Sequence, residues 1–158
     1  MKLDSIRREY LSAELTQKDV AATPIKQFKT WLDNAKKSNV KDFSAMSLIT
    51  CIPGEYPQSR IVLLKDIGTY GLTFYTNYNS HKGQAINLNN KVGLHFFWPE
   101  LERQVRVDGI AEKTSRQASE AYFNSRPLES QIAAFVSHQS EELQSRYQLE
   151  ESYRKLKD

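Results

Sequence analysis

Short apolar stretches separated by turn residues occupy the middle of the chain. Residues 44–52, 58–65, 72–77, 92–98 and 103–111 are rich in Val, Ile, Leu, Phe, Tyr and Thr, and Gly, Pro, Asn or Asp bounds each stretch. This composition and spacing predict β-strands. In the last stretch Gln104, Arg106 and Asp108 alternate with Val105 and Val107, as in a strand with one polar face. Several short strands joined by tight turns favour an antiparallel barrel.

A helix is predicted before the strands. Thr23 is a capping residue, and Pro24 suits the first helical position. Apolar residues then recur at helical spacing to about Lys37, which predicts an amphipathic helix. A short helix over 82–88 is expected to interrupt the strand series.

Helical patterns return after the strands. Thr114 and Gln117 fit a capping box, with Thr114 as the N-cap of a first helix. A second helix is expected over about 128–135, and a third from near Glu141 to the chain end. The predicted fold class is therefore mainly β with flanking helices.

A chain of 158 residues fits a single domain, 1–158. We divide it into an N-terminal arm (1–23), a barrel with helices (24–140) and a C-terminal helix (141–158). No Gly or Asn closes the last helix before Asp158. A missing C-terminal segment and ordinary fraying of a natural terminus both explain this feature.

Composition excludes several classes of protein. The 22 Lys and Arg residues are interleaved with 19 acidic ones, so no nucleic-acid partner is expected. No apolar run approaches the ~20 residues that span a bilayer, and the N-terminus lacks a secretory apolar region. Cys51 is the only cysteine, so no intramolecular disulfide can form. We therefore expect a cytoplasmic protein without a membrane partner.

Familiar catalytic motifs are absent from the sequence. It contains no Gly-x-Gly-x-x-Gly, no Walker loop, no His-Glu-x-x-His and no Gly-x-Ser-x-Gly. His81, His95 and His138 lack metal-ligand spacing. We expect neither a metal site nor a protein nucleophile.

Cations and hydroxyls near the predicted strand ends are the remaining candidates. Arg60 and Lys65 bracket an apolar strand, where a phosphate would be a suitable partner for both. The alternative is two ordinary surface cations. Ser80, His81 and Lys82 open a helix, and a helix N-terminus with a lysine suits an anion. The alternative there is a plain strand-turn-helix corner with Ser80 as N-cap.

Tyr122, Arg126 and Ser130 form a second candidate phosphate site. Tyr122 and Arg126 are four residues apart and share a helix face if the helix reaches Arg126. Pro127 disfavours helical backbone at Arg126, so a helix-ending arginine is the alternative. Two such sites would suit a phosphorylated cofactor together with a phosphorylated substrate.

Six segments of the chain occur in one order that is familiar. They are 7–10 (RREY), 60–65 (RIVLLK), 74–77 (FYTN), 101–105 (LERQV), 122–131 (YFNSRPLESQ) and 136–140 (VSHQS). In this order they resemble the pyridoxine/pyridoxamine 5′-phosphate oxidases over nearly the whole chain.

The resemblance implies an FMN-binding split β-barrel, antiparallel, that forms a homodimer with FMN in clefts between subunits. It implies FMN-dependent oxidation of pyridoxine or pyridoxamine 5′-phosphate to pyridoxal 5′-phosphate, with O₂ as electron acceptor. The implied cofactor-binding residues are Arg60, Ile61, Val62, Leu63, Leu64, Lys65, Tyr75, Thr76, His81, Lys82, Gln104, Gln139 and Ser140. The implied substrate-binding residues are Arg7, Arg8, Glu9, Tyr10, Lys65, Tyr122, Arg126 and Ser130.

Two departures from the family pattern affect these expectations. Members usually carry Arg where this chain has His81, which makes one cation at the FMN phosphate titratable. The family also ends with a segment carrying a Trp and an Arg-x-His pair, and this chain stops before it. We expect retained FMN binding with weakened turnover. The alternatives are a non-catalytic FMN- or pyridoxal-phosphate-binding protein and, less favoured by Tyr122, Arg126 and Ser130, a flavin reductase that uses a nicotinamide.

Overall fold

A computed structural model of the chain describes residues 9, 15–69, 71–143 and 145–157. Its elements follow the order α1 (Pro24–Lys37), β1 (Ala45–Thr50), β2 (Gln58–Leu63), β3 (Asp66–Ile67), β4 (Leu72–Thr73), α2 (His81–Leu88), β5 (Lys91–Trp98), β6 (Arg103–Ile110), α3 (Arg116–Ser125), α4 (Leu128–Val136) and α5 (Arg146–Lys157). A short 3₁₀ helix, Pro99–Leu101, connects β5 to β6.

The strands form two sheets in the described part of the chain. The larger is antiparallel and has the order β2-β1-β5-β6. The smaller pairs β3 with β4, antiparallel, with Asp66 opposite Thr73 and Ile67 opposite Leu72. The predicted strand over 72–77 is thus wrong in length. Asn77 forms a turn instead, because its Oδ1 accepts a hydrogen bond of 2.8 Å from the Asn79 N–H.

The chain divides into two compact units, which we describe separately. The first unit comprises Met1–Leu48, Ile61–Phe74 and Leu94–Val107. The second unit comprises Ile49–Arg60, Tyr75–Gly93 and Asp108–Asp158. The expectation of one domain over 1–158 stays a prediction.

The first unit contains an aromatic core. The Phe28 ring lies 4.9 Å from that of Phe96 and 6.3 Å from that of Trp98, centroid to centroid. The Trp98 Nε1–H donates to the Phe43 carbonyl oxygen at 2.9 Å, so the indole is buried with its polar atom satisfied. On β1, Met46 and Leu48 are buried and alternate with partly exposed neighbours.

Helix α1 has the predicted bounds. The Thr23 side chain accepts a hydrogen bond of 3.3 Å from the Lys26 N–H, and Pro24 occupies the first turn. Its buried residues, Phe28 and Ala35, lie seven positions apart on one face. Capping and apolar spacing therefore both pointed to the helix that forms.

The second unit corrects two helix starts. Helix α3 is capped by Ser115, whose Oγ accepts from the Ala118 N–H at 3.1 Å, whereas Thr114 Oγ1 pairs with Ser119 Oγ. The capping box at Thr114 was therefore wrong by one residue. Helix α5 begins at Arg146 rather than near Glu141, and Ser140, just before the predicted start, adopts a left-handed φ of 70°.

Helices α4 and α5 contact each other within the second unit. The Lys157 Nζ lies 2.8 Å from the Glu129 Oε1, which links the end of α5 to the start of α4. Among the described residues, no helix has the length and apolar character to cross a membrane.

Candidate functional site

Arg60 anchors a cationic cluster in the second unit. It lies on β2, is half-buried, and donates from Nη1 to Thr50 Oγ1 at 2.7 Å and to the Gln58 carbonyl oxygen at 3.3 Å. Burial lowers the pKa of the Arg60 guanidinium from its ordinary value. The side chain is thus held in a partly dehydrated position, where an approaching anion would stabilise its charge.

Lys82 is the second cation of this cluster. Its Nζ donates to Gln139 Oε1 at 3.1 Å and to Ser80 Oγ at 3.4 Å. Burial and then the charge of Arg60 lower the pKa of Lys82. Within the described residues, no carboxylate forms an ion pair with Lys82. Two dehydrated positive charges that repel each other suit an anionic ligand such as a phosphate.

The first turn of α2 fixes the position of Lys82. Ser80 is fully buried; its Oγ donates to the Asn77 carbonyl oxygen at 2.6 Å and accepts from the Gly83 N–H at 3.4 Å. Gly83 permits this close packing, since a Cβ there would lie 2.3 Å from the Tyr78 carbonyl oxygen. The α2 N-terminus also adds partial positive charge beside the cluster.

Two predicted ligand-binding tyrosines stack on each other in the second unit. The rings of Tyr75, just after β4, and Tyr122, on α3, lie 3.8 Å apart with an interplanar angle of 4°. The family resemblance predicts that Tyr75 binds the cofactor and that Tyr122 binds the substrate. The structure therefore brings one residue of each predicted set into direct contact.

Arg126 and Ser130 also come together, although not through a shared helix face with Tyr122. Helix α3 ends at Ser125, and Arg126 is extended with φ −78° and ψ 152°, as the following Pro127 favours. The Arg126 Nη2 donates to the Ser130 carbonyl oxygen at 2.9 Å. The Gln131 side chain holds the Arg126 carbonyl oxygen at 2.8 Å, so this turn is fixed at both ends.

The remaining predicted cofactor residues of the second unit are more exposed. His81 is the exposed first residue of α2, and Thr76 is half-buried after β4. Gln139 is exposed apart from its bond to Lys82, and Ser140 is exposed at its left-handed turn.

The predicted residues of the first unit lie along β2, just after it and on β6. Ile61 and Leu63 are 67% and 43% exposed, Val62 is half-buried and Leu64 is buried, which is the alternation of a strand. The Lys65 side chain is exposed, and its N–H donates to the Thr73 carbonyl oxygen at 2.8 Å. Gln104 is exposed on β6, and its Oε1 lies 3.1 Å from His95 Nε2.

The substrate-binding residues predicted in the N-terminal arm are largely untested by the structure. Arg7, Arg8 and Tyr10 lie outside the described residues, and Glu9 is exposed.

Sequence reasoning missed two residues that organise the cluster, Thr50 and Gln58, which bind the Arg60 guanidinium. The available signal was Thr50 at an inward position of an apolar strand, where a buried hydroxyl requires a partner. His95 was considered only as a metal ligand. Among the described residues, no group of His, Cys, Asp or Glu could hold a metal ion.

A family model described as pyridoxamine 5′-phosphate oxidase matches residues 32–156. Proteins named pyridoxine/pyridoxamine 5′-phosphate oxidase are similar to the chain. The one from Haemophilus ducreyi is 51% identical over 146 residues, 92% of this chain and 69% of that relative. The one from Hahella chejuensis is 49% identical over 159 residues, 100% of this chain and 75% of that relative. These matches confirm the resemblance.

Solved structures confirm the fold class. PhzG from Burkholderia lata, in complex with tetrahydrophenazine-1-carboxylic acid, aligns with a TM-score of 0.86 at 24% identity, covering 92% of this chain and 73% of that one. A pyridoxamine 5′-phosphate oxidase-related, FMN-binding protein from Nostoc punctiforme aligns with a TM-score of 0.65 at 15% identity, covering 85% and 73%. The antiparallel sheet with flanking helices is that of the FMN-binding split-barrel proteins.

Proposed function

The chain belongs to the pyridoxamine 5′-phosphate oxidase family, and from that premise we propose that it oxidises pyridoxine or pyridoxamine 5′-phosphate to pyridoxal 5′-phosphate, with FMN as cofactor and O₂ as electron acceptor. We further propose that it acts as a homodimer in the cytoplasm. The exposed apolar side chains of Ile61 and Leu63, on an edge strand of the sheet, support a partner surface.

The observation that carries the proposal is the pair Arg60 and Lys82. Both cations are partly dehydrated, and the charge of Arg60 lowers the pKa of Lys82. The terminal phosphate of FMN is close to a dianion at neutral pH and would offset both charges. Hydroxyl groups on Thr50 and Ser80 hold the two cations in place. The chemistry of this donor set therefore fits the cofactor.

A second phosphate-binding set would hold the substrate. We assign this role to Lys65, Tyr122, Arg126 and Ser130 from the family motif. In the structure the Arg126 guanidinium is bonded to the Ser130 backbone, and the Tyr122 ring is fixed against Tyr75. The substrate phosphate is remote from the reacting carbon, so the free energy of binding it can be used to orient the substrate ring.

The oxidation is chemistry that FMN would supply when bound: it would take a hydride equivalent from the C4′ carbon and return the electrons to O₂ as H₂O₂, and with the amine substrate water would displace the nitrogen as ammonia. The residues of this chain bind and orient. Gln104, Gln139 and Ser140 would complete the cofactor site, and Gln139 already contacts Lys82. No protein nucleophile is needed, which agrees with the lack of nucleophile motifs in the sequence.

The proposal is tested by titrating the FMN-free protein with FMN and following flavin fluorescence. We expect Lys82→Met to weaken FMN binding about 10- to 150-fold, since a hydrogen bond to a charged group contributes roughly 1.5–3 kcal/mol. The matched control is Lys91→Met at the exposed start of β5, which should bind FMN like the unmodified protein. Failure of the unmodified protein to bind FMN would refute the proposal.

The second candidate function is binding of FMN or pyridoxal phosphate without turnover. The Nostoc punctiforme neighbour, a pyridoxamine 5′-phosphate oxidase-related, FMN-binding protein, shares the fold of this chain. Anaerobic stopped-flow mixing of the FMN-loaded protein with pyridoxamine 5′-phosphate separates the two. Bleaching of the flavin absorbance supports the oxidase, and an unchanged spectrum supports the binding protein.

A further inference from the structure

His95 lies on the outward face of β5. Leu94, Phe96 and Trp98 are buried on the opposite face. His95 alternates with them along the strand and is half-buried. The neighbouring strand β6 forms the edge of the sheet, and Gln104 stands on it. The family motifs assign no role to His95.

Two contacts restrain the His95 ring. Its Nε2 lies 3.1 Å from the Oε1 of Gln104. Its ring also stacks on that of Phe97, two residues along the same face, with centroids 6.5 Å apart and an interplanar angle of 22°. An exposed glutamine would otherwise sample several rotamers, so this hydrogen bond limits its side-chain freedom.

The direction of this hydrogen bond determines which end of the Gln104 amide, the oxygen or the NH₂ group, is directed at His95. Of the three protonation states of an imidazole, the cation and one neutral tautomer carry a hydrogen on Nε2. In both states His95 donates to Gln104 Oε1. The NH₂ group of the amide is then left for another acceptor, and none is present for it among the described residues.

We propose that His95 is a positioning residue, which donates from Nε2 to Gln104 Oε1 and so presents the Gln104 NH₂ group to the FMN ring. This inference rests on the proposed function, in which Gln104 approaches the flavin. Flavin rings carry nitrogen and carbonyl acceptors, and a fixed donor beside them stabilises the negative charge of the reduced ring. His95 thereby tunes the cofactor through Gln104.

The first test uses the FMN-free protein. Nitrogen-15 NMR of the imidazole groups, at a pH where the rings are neutral, should show the His95 hydrogen on Nε2. Gln104→Met should change that signal, whereas Gln117→Met, the same replacement at an exposed position on α3, should leave it unchanged. A hydrogen found only on Nδ1, or a signal insensitive to Gln104→Met, overturns the proposal.

The second test uses the FMN-loaded protein and its midpoint potential. His95→Leu and Gln104→Met should each lower the potential and weaken FMN binding about 2- to 10-fold, as for the loss of one neutral hydrogen bond. The double variant should show no further change, and His95→Gln, which keeps a donor nitrogen, should restore the potential. Additive effects, or an unchanged potential in His95→Leu, contradict a positioning role.

The two proposals fail in different ways. If the unmodified protein binds no FMN, the proposed function is refuted, and so is the proposal that Gln104 presents its amide to a flavin. The NMR signal of the FMN-free protein still tests whether His95 donates a hydrogen bond to Gln104. If FMN binds and substrate reduces it, but His95→Leu leaves the potential unchanged, the inference about His95 alone is overturned.

Discussion

The two units of the chain bury different kinds of side chain. Of the eleven apolar residues that are buried in the described part of the chain, nine lie in the first unit, and the other two, Ala85 and Ile132, lie in the second. Thr50 and Ser80, the two polar residues that are buried among those the structure describes, both lie in the second unit, where they contact Arg60 and Lys82. Among the described residues, the first unit therefore relies on apolar packing and the second holds polar groups in place.

This difference predicts which substitutions should change the stability of the fold and which should change ligand binding. Apolar burial stabilises the folded chain in proportion to the area removed from water. Two cations held near each other in a partly dehydrated place destabilise it until an anion arrives. Substitutions in the apolar core of the first unit should therefore act on folding, and substitutions of the binding cations of the second unit should act mainly on ligand binding.

The largest expected effect is in the first unit. Phe96→Ala removes a fully buried ring that contacts both Phe28 and Trp98, and should lower the free energy of unfolding by about 3–5 kcal/mol. Urea denaturation measures it. Tyr56→Ala, at a side chain that is 91% exposed, is the control and should cost less than about 0.5 kcal/mol. Equal costs for the two variants would break the comparison.

The next largest effect is expected at Arg126 in the second unit, whose replacement should leave folding nearly unchanged. Arg126→Ala should raise the KM for the phosphorylated substrate by a factor that corresponds to roughly 1.5–3 kcal/mol, with little change in FMN affinity. Steady-state kinetics and FMN titration measure the two quantities. If FMN affinity falls while the KM stays the same, Arg126 belongs to the cofactor phosphate instead.

Two helix caps of the second unit, one buried and one exposed, should differ in how much they stabilise the fold. Ser80→Ala removes a buried hydroxyl that bonds Asn77, Gly83 and Lys82, and should cost about 1–2 kcal/mol of unfolding free energy. Ser115→Ala removes an exposed cap with one contact and should cost about 0.5–1 kcal/mol. Thermal unfolding measures the loss of stability in each variant. A larger loss in Ser115→Ala than in Ser80→Ala would show that the hydrogen bonds of Ser80 do not stabilise the turn before α2.

Local rules predicted much of the fold. The capping hydroxyl and proline at Thr23 and Pro24, with the apolar spacing after them, gave α1 its observed bounds. Starts that depend on one backbone angle or on a choice between adjacent hydroxyls were harder to place. Ser140 turns the chain before α5, and Ser115 caps α3 in place of Thr114.

The candidate site could be predicted only in its individual residues. Strand spacing marked Arg60, and the helix start marked Lys82, but neither pattern shows that the two charges approach each other. That proximity, seen in the effect of the Arg60 charge on the pKa of Lys82, arises only when the chain folds, because the two residues are far apart in sequence. The Tyr75–Tyr122 stack and the Thr50 contact to Arg60 have the same tertiary origin.

The cationic pair is tested most directly by proton uptake on FMN binding, measured by titration calorimetry in buffers of different ionisation enthalpy at a series of pH values below the ordinary pKa of a lysine side chain. In the free protein, burial and Arg60 lower the pKa of Lys82. A bound phosphate, a dianion above neutral pH, should raise that pKa, so affinity falls as pH rises through it. We predict uptake of a fraction of a proton by the unmodified protein and none by Lys82→Met. Equal uptake by both, or none by either, would contradict the account.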